Sequence, residues 1–326
     1  MPHVTMITTG GTIASRRVHE TGHVVASVSA EDLRATLRDP LDGIPLQVEE
    51  FCKVGSYAID LPMVFSLANR INTVLADTDC LGVVVTHGTD TLEESCFLVD
   101  LLLISDKPVV FTGAQRDADA PDTDGPRNIA DSIRLAAAPQ ARGLGAMICF
   151  EQEFHAARDV SKTHSSRTDT FHSYEHGKLG EIDGTEVRLH RRPLLRRSYA
   201  PARIEPAIEM VTMVMGSDGW ILSQARAAGA KAVVVQGFGR GNTPPGVTRA
   251  ATDLVAAGVP VVMTSRSPRG RVRPIYGNGG GKTLSEVGVI FAGDLSGPKA
   301  RILLAVLLGM GLSGEALRQE IEFMAG

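Results

Sequence analysis

Short apolar runs rich in β-branched residues recur along the chain: VTMIT at 4–8, LGVVVT at 81–86, PVVFTG at 108–113, GAMICF at 145–150, AVVVQG at 232–237 and VPVVMTS at 259–265. Each is apolar at consecutive positions and so has no wet face, which suits a parallel strand covered on both sides. Between the runs, 61–76, 92–104, 129–138, 218–228 and 247–257 carry apolar residues at helical spacing. This alternation predicts an α/β fold with a doubly wound, mostly parallel sheet. The stretch 186–208 holds Pro193, Pro201 and Pro206 amid a cluster of arginines and interrupts the pattern. The expected organisation is therefore a larger N-terminal α/β domain over 1–190, a linker over 191–210 and a second, smaller α/β domain over 211–326.

A chain of 326 residues, 43% of them hydrophobic, is long enough to bury two cores. Its formal net charge of -4 gives no general attraction for nucleic acid or an anionic membrane, and the isolated basic run RRPLLRR reads as a solvated connection. No apolar run approaches the roughly 18 residues of a membrane-spanning helix. A small molecule is the expected ligand. The opening MPHVTMITTG runs directly into the first strand with no signal-peptide pattern, so a cytoplasmic location is expected. Cys52, Cys80, Cys96 and Cys149 are widely spaced and form no CxxC pair, which predicts reduced, mostly buried thiols.

Two stretches bear chemistry at strand ends. MITTGGTIAS at 6–15 passes from a strand into Gly10-Gly11-Thr12, where paired glycines let the backbone turn sharply and approach a ligand. VVVTHGTDTLEES at 83–95 repeats the device with His87-Gly88-Thr89-Asp90 before a helix whose first turn holds Glu93 and Glu94. Either stretch alone also reads as a strand-end turn, and Asp90 or Thr91 as a helix cap. Two threonine hydroxyls at the ligand-binding edge of an α/β sheet are harder to assign to turns alone. A threonine hydroxyl is a weak nucleophile near neutral pH and needs a base and oxyanion donors. Lys162, in RDVSKTHSS at 158–166, is a candidate base held by a carboxylate such as Asp90, beside the plainer reading of a surface lysine.

TTGGTIAS and THGTDTLEE, followed in order by GAQRDADAPDTDGPRNI, RDVSKT and PKARILLAVLL, resemble the L-asparaginase/glutaminase family over essentially the whole chain. The resemblance implies an amidohydrolase that needs no metal and no organic cofactor and assembles as a homotetramer, a dimer of intimate dimers. It assigns Thr12 as nucleophile, with its own amide helping to bind the oxyanion, and Thr89, Asp90 and Lys162 as the second threonine with its acid and base. By the same resemblance Ser56, in KVGSYAID, holds the substrate carboxylate, Ala114 supplies a backbone contact and Asn242, in GFGRGN, reaches the site across the dimer interface. Gly11 and Gly88, which precede the two threonines, complete the expected binding set.

Departures from the family pattern bear on substrate. The loop after the first threonine, SRRVHETGHVVAS at 15–27, lacks the usual tyrosine and offers His23, with His19 nearby, as a proton carrier. Tyr57 follows Ser56 where a glutamine is usual. The segment 267–286 has no acid before Glu286 and instead carries Arg269, Arg271, Arg273, Lys282 and Tyr276. Tyr57 and Tyr276 are candidates to replace the loop tyrosine. A pocket short of acids would compensate an α-ammonium poorly, which raises the alternative of a small amide whose α-amine is absent or acylated, or one with an added negative charge. A catalytically inactive small-molecule-binding protein of the same fold is a further alternative. GNGGGKT at 277–283 misses a phosphate loop by one position, and GFGRGN ends in asparagine where a dinucleotide fingerprint needs glycine. His164, His172 and His176 form no recognised metal-ligand pattern.

Overall fold

The computed structural model describes residues 1–17, 24–26, 30–35, 37 and 41–326. The chain divides into two compact units, Met1–Ser198 and Tyr199–Gly326. In the first, the strands are β1 (His3–Gly10), β2 (Ser15–Arg17), β3 (Val24–Ala26), β4 (Leu46–Val54), β5 (Cys80–Thr86), β6 (Val109–Thr112), β7 (Ala146–Phe150), β8 (Glu153–Ala156), β9 (Ser161–Lys162), β10 (Phe171–His172), β11 (Gly180–Asp183) and β12 (Glu186–Leu189). The helices are α1 (Ala30–Ala35), α2 (Leu61–Leu75), α3 (Leu92–Leu102) and α4 (Gly125–Ala137).

The main sheet runs β12-β11-β8-β7-β6-β5-β1-β4. From β4 through β7 every pairing is parallel, and β8, β11 and β12 then extend the edge antiparallel. Period-two alternation sorts the buried residues. Val4, Met6, Val84, Val110 and Met147 join the cluster containing Ile129 and Ile133 of α4, while Ile7, Val83 and Val85 are equally buried and point to the opposite face. There α2 packs on α3 and β5. Helices thus cover both faces, as the strand runs predicted. The order reverses at β1, which has β4 on one side and β5 on the other, so the crevice beyond the carboxyl ends of β1 and β5 is the topological switch point where such sheets bind ligands.

The second unit holds β13 (Ile208–Thr212), β14 (Ala232–Gly237), β15 (Val261–Ser265) and β16 (Ile290–Phe291), parallel and in that spatial order. Its helices are α5 (Trp220–Ala227), α6 (Pro245–Ala256), α7 (Gly281–Glu286), α8 (Gly297–Gly309) and α9 (Gly314–Ala325). α8 packs across β13, β14 and β15, and α9 packs on α8 and β16.

The structure extends the sequence reading at identifiable places. α4 starts at Gly125 rather than 129, because its first turn, Gly125-Pro126-Arg127-Asn128, lacks the apolar spacing yet accepts Pro126 where no N–H partner is needed. β4 carries Glu49 and Glu50 side by side and is half-exposed along its length, as an edge strand can be. All four cysteines are free thiols; Cys52 is half-buried and the others are buried.

Candidate active site

β1 and β5 lie side by side with Thr8 opposite Thr86, so the segments leaving them emerge together at the carboxyl edge. Gly10 and Gly11 have φ of 102° and 82°, a region that L side chains rarely adopt. A Cβ on Gly11 would lie 2.3 Å from the Gly88 nitrogen, and one on Gly88 would lie 2.5 Å from Ser56 Oγ. The glycines therefore allow backbone-to-backbone contact, which draws Thr12, Thr89 and the turn after β4 together. The loop after β6 joins them, since a Cβ on Gly125 would be 3.0 Å from Ile13 Cγ1 and 3.5 Å from the Ala114 Cβ. Ala114 itself is completely buried.

Lys162 reaches this crevice from β9. Its backbone N–H donates to Glu93 Oε2 at 3.2 Å, which ties the strand to the first turn of α3. Its Nζ then donates to Thr89 Oγ1 at 2.9 Å and to Asp90 Oδ1 at 3.1 Å. Thr89 is buried, and its hydroxyl donates a hydrogen bond to Gln115 Oε1 at 3.1 Å. Lysine, threonine and aspartate are thus in direct contact.

Ser56, also buried, occupies a short 3-10 turn just beyond β4. Its Oγ accepts the Asp90 N–H at 3.2 Å, and its carbonyl accepts the Thr91 hydroxyl at 2.8 Å. Thr91 stands at the N-cap position of α3, but its side chain binds across to Ser56 instead of capping. Tyr57 is 83% exposed, so its ring is available to a ligand rather than packed in the core.

Residues beneath the crevice fix its geometry. Asp124, immediately before α4, accepts the backbone N–H groups of Gln115 and Arg116 at 3.0 and 3.1 Å. Asn128 donates to the Gly113 carbonyl at 3.0 Å and accepts the Glu151 N–H at 3.1 Å. His87 is wholly buried, and its Nδ1 lies 2.8 Å from the Gly88 carbonyl. A carbonyl only accepts, so Nδ1 carries the proton and Nε2 is the bare nitrogen. Burial pushes the His87 pKa down from 6.5 to about 4. His87 Nε2 and Gln115 Nε2 are buried without hydrogen-bond partners among the described residues. Gln115, Asp124 and Asn128 were not singled out from sequence, although each falls inside a motif quoted for the family resemblance, and Glu93 was read only as a helix-dipole partner.

Other expected positions lie elsewhere. Asn242 and Tyr276 belong to the second unit, where the Asn242 carboxamide oxygen accepts the Gly281 N–H at 3.1 Å and Tyr276 is 56% exposed. His23 lies outside the described residues. His164 Nδ1 accepts the backbone N–H groups of Ser166 and Arg167, each at 3.1 Å, and so acts as a turn acceptor. Among the described residues no group of three or more His, Cys, Asp and Glu side chains is arranged to hold a metal ion. No helix among them is long and apolar enough to cross a membrane.

Comparison with known proteins agrees across both units. Residues 3–195 match the family model of the asparaginase N-terminal domain, and residues 207–320 match that of the glutaminase/asparaginase C-terminal domain. An L-asparaginase of Bacillus licheniformis is 34% identical over 94% of this chain and 95% of its own length. A probable periplasmic L-asparaginase of Haemophilus influenzae is 30% identical over 99% of this chain and 93% of its own length. The crystal structure of a probable cytoplasmic L-asparaginase from Campylobacter jejuni superposes with a TM-score of 0.87 at 27% identity, covering 99% of each chain.

Proposed function

Because this chain belongs to the asparaginase family and is a hydrolase of carbon–nitrogen amide bonds, we propose that it cleaves the side-chain amide of L-asparagine or a closely related small acid through Thr12. The observation that carries the reading is the contact of Lys162 Nζ with both Thr89 and Asp90, at 2.9 and 3.1 Å, beside the Gly11–Gly88 approach. Thr12 attacks the amide carbon, its hydroxyl proton ending on the departing nitrogen, and backbone N–H groups, its own included, bind the oxyanion. Ammonia leaves, and water hydrolyses the acyl-enzyme.

The hydrogen bonds specify what proton transfer at Thr89 requires. In the charged form Lys162 can only donate, and the Thr89 hydroxyl donates onward to Gln115. For Thr89 to yield its proton, Lys162 must be neutral and the hydroxyl must turn from Gln115 towards Nζ. Asp90 orients the amine through the transfer. Ser56 Oγ already accepts the Asp90 N–H, which directs its own proton outward to the substrate carboxylate. Gln115 Nε2, buried and unpaired, is a second donor for a bound acid.

A second reading, an amide without a free α-amine, is favoured by the engagement of Asp90 with Lys162, which weakens its claim on a substrate ammonium. The exposed Tyr57 supports it as well. Ammonia release from L-asparagine, L-glutamine, D-asparagine, succinamic acid and N-acetyl-L-asparagine separates the two. A higher kcat/KM for L-asparagine than for succinamic acid supports the first reading, and the reverse order supports the second. Folded Thr12→Ala protein with near-normal turnover on every amide overturns the assignment of Thr12 in both.

The same reading extends to assembly as a dimer of intimate dimers, with Asn242 serving a neighbouring subunit's site, and to the cytoplasm. The cytoplasmic description of the Campylobacter jejuni relative supports that compartment, whereas the Haemophilus influenzae relative is described as periplasmic. Molar mass from light scattering and cell fractionation test the two points.

A further inference from the structure

The second unit contains a cavity of about 520 Å³ whose walls include Arg240, Arg271, Arg273 and Arg318. Its position follows from the fold. Arg240 comes after β14, the 271–274 segment after β15 and Gly293 after β16, so the carboxyl ends of three neighbouring parallel strands deliver one wall, and α9 supplies Arg318 and Glu322. This is the edge at which open α/β sheets take ligands. The main chain holds the wall: Arg273 N–H donates to the Arg240 carbonyl at 2.9 Å, and Val272 N–H donates to the Gly293 carbonyl at 2.8 Å. Val272 is buried beneath them, which anchors the arginines on either side of it.

The charge is unbalanced. Glu322 is the one carboxylate side chain in the lining, and Arg318 lies 3.6 Å from it while also donating to the Gly288 carbonyl at 2.8 Å. Arg271 donates to an oxygen of the terminal Gly326, whose carboxylate is the second negative group in the lining, so the excess positive charge rests on Arg240 and Arg273. The guanidinium groups of Arg240 and Arg273 form no hydrogen bond or ion pair among the described residues. In a chain of formal net charge -4, uncompensated guanidinium groups around one concavity are a local reversal of sign. Concave walls focus such a field, and guanidinium groups match oxyanions in paired hydrogen bonds.

We propose that this cavity is a binding site for a small phosphate-bearing molecule, held by Arg240 and Arg273 with Arg271 and Arg318 behind them, and that it is additional to the amide-hydrolysing site on the first unit. Phosphate suits arginines carried on separate loops because its oxygens radiate in several directions, so more than one guanidinium can engage at once.

Calorimetric titration of the full chain with inorganic phosphate and with glycerol phosphate, at ionic strength fixed with sodium chloride, tests the site. The expected result is saturable binding of one ligand per chain. Arg240→Gln/Arg273→Gln should weaken it by about tenfold or more, since each charge-assisted hydrogen bond is worth roughly a decade in affinity. Arg240→Lys/Arg273→Lys should retain part of it. Thermal unfolding of each variant controls for folding, and if the double glutamine variant unfolds early, the single variants are titrated instead. Absence of saturable binding by either probe, or undiminished binding in folded glutamine variants, overturns the proposal.

Discussion

Replacing Lys162 by arginine separates proton transfer from charge. Arginine keeps a positive group near Asp90 but does not deprotonate at any pH the protein survives, so it cannot accept the Thr89 proton. Lys162→Met removes both charge and proton acceptor. The structure sets the two magnitudes apart. The Lys162 side chain is 16% exposed, but that of its partner Asp90 is 60% exposed. Solvent screening limits such a pair to at most about 1 kcal/mol of stability, which for a chain of this length shifts Tm by about 2–4 °C or less. Positioned acid–base groups contribute roughly a hundredfold to ten-thousandfold in rate. Both variants are therefore expected to unfold near the wild-type temperature and to lose kcat for ammonia release by about that factor. The assay is steady-state turnover on the best amide of the panel, with thermal unfolding of each variant alongside. Lys162→Arg protein retaining more than about a tenth of wild-type kcat would refute the proton-acceptor role and leave Lys162 as a fixed charge.

Gly11→Ala should destabilise the chain by more than about 1 kcal/mol and abolish most turnover, because a left-handed residue with a side chain is strained and the added carbon would stand 2.3 Å from the Gly88 nitrogen; urea unfolding and turnover read the two losses. His87 should make stability depend on pH. Its folded pKa is near 4 and its ordinary value is 6.5, so between them the unfolded chain binds more protons, and the contribution present above 6.5 is lost as pH falls towards 4. The full loss is about 3 kcal/mol. His87→Asn retains a donor for the Gly88 carbonyl and should make that part of the curve shallower without abolishing it, since burial pushes His155 down to about 4 as well, whereas identical pH dependence in the two proteins would contradict the buried neutral histidine.

The elements legible from sequence are those whose pattern is set by burial on both sides. β1, β5, β6, β7, β14 and β15 are buried along nearly all of their length and were visible as unbroken apolar runs. β4 was not, because an edge strand tolerates Glu49 and Glu50 in its middle. Short strands such as β9, with only Ser161 and Lys162, have no periodicity to read. The catalytic candidates Thr89, Asp90 and Lys162 were legible as motifs, but their contact was not: it depends on the Glu93 link to the Lys162 backbone, across 69 positions of sequence. Gln115 and Asp124 escaped for a related reason. Their importance lies in which backbone group or hydroxyl each meets, and residue type alone does not specify that.

The switch point explains why one edge of one sheet can assemble the proposed two-threonine site from separate stretches of chain. β1 separates β4 from β5, so their carboxyl ends deliver Thr12, the Ser56 turn and Thr89 to a common crevice without any long loop. Adjacent strands alone would leave these segments a strand spacing apart, about 4.8 Å between backbones. Glycine at 11 and 88 removes the side-chain atoms that would keep the emerging segments at that distance. The contact then has a directional consequence. Once Gly88 is pressed against both Gly11 and the Ser56 side chain, the Asp90 N–H is turned towards Ser56 Oγ and the Asp90 carboxylate towards Lys162. The residue proposed to hold the substrate's carboxylate and the pair proposed to move its proton are thereby coupled through one aspartate. A substitution that shifts the Ser56 turn should consequently disturb turnover as well as binding, even though Ser56 takes no part in bond making.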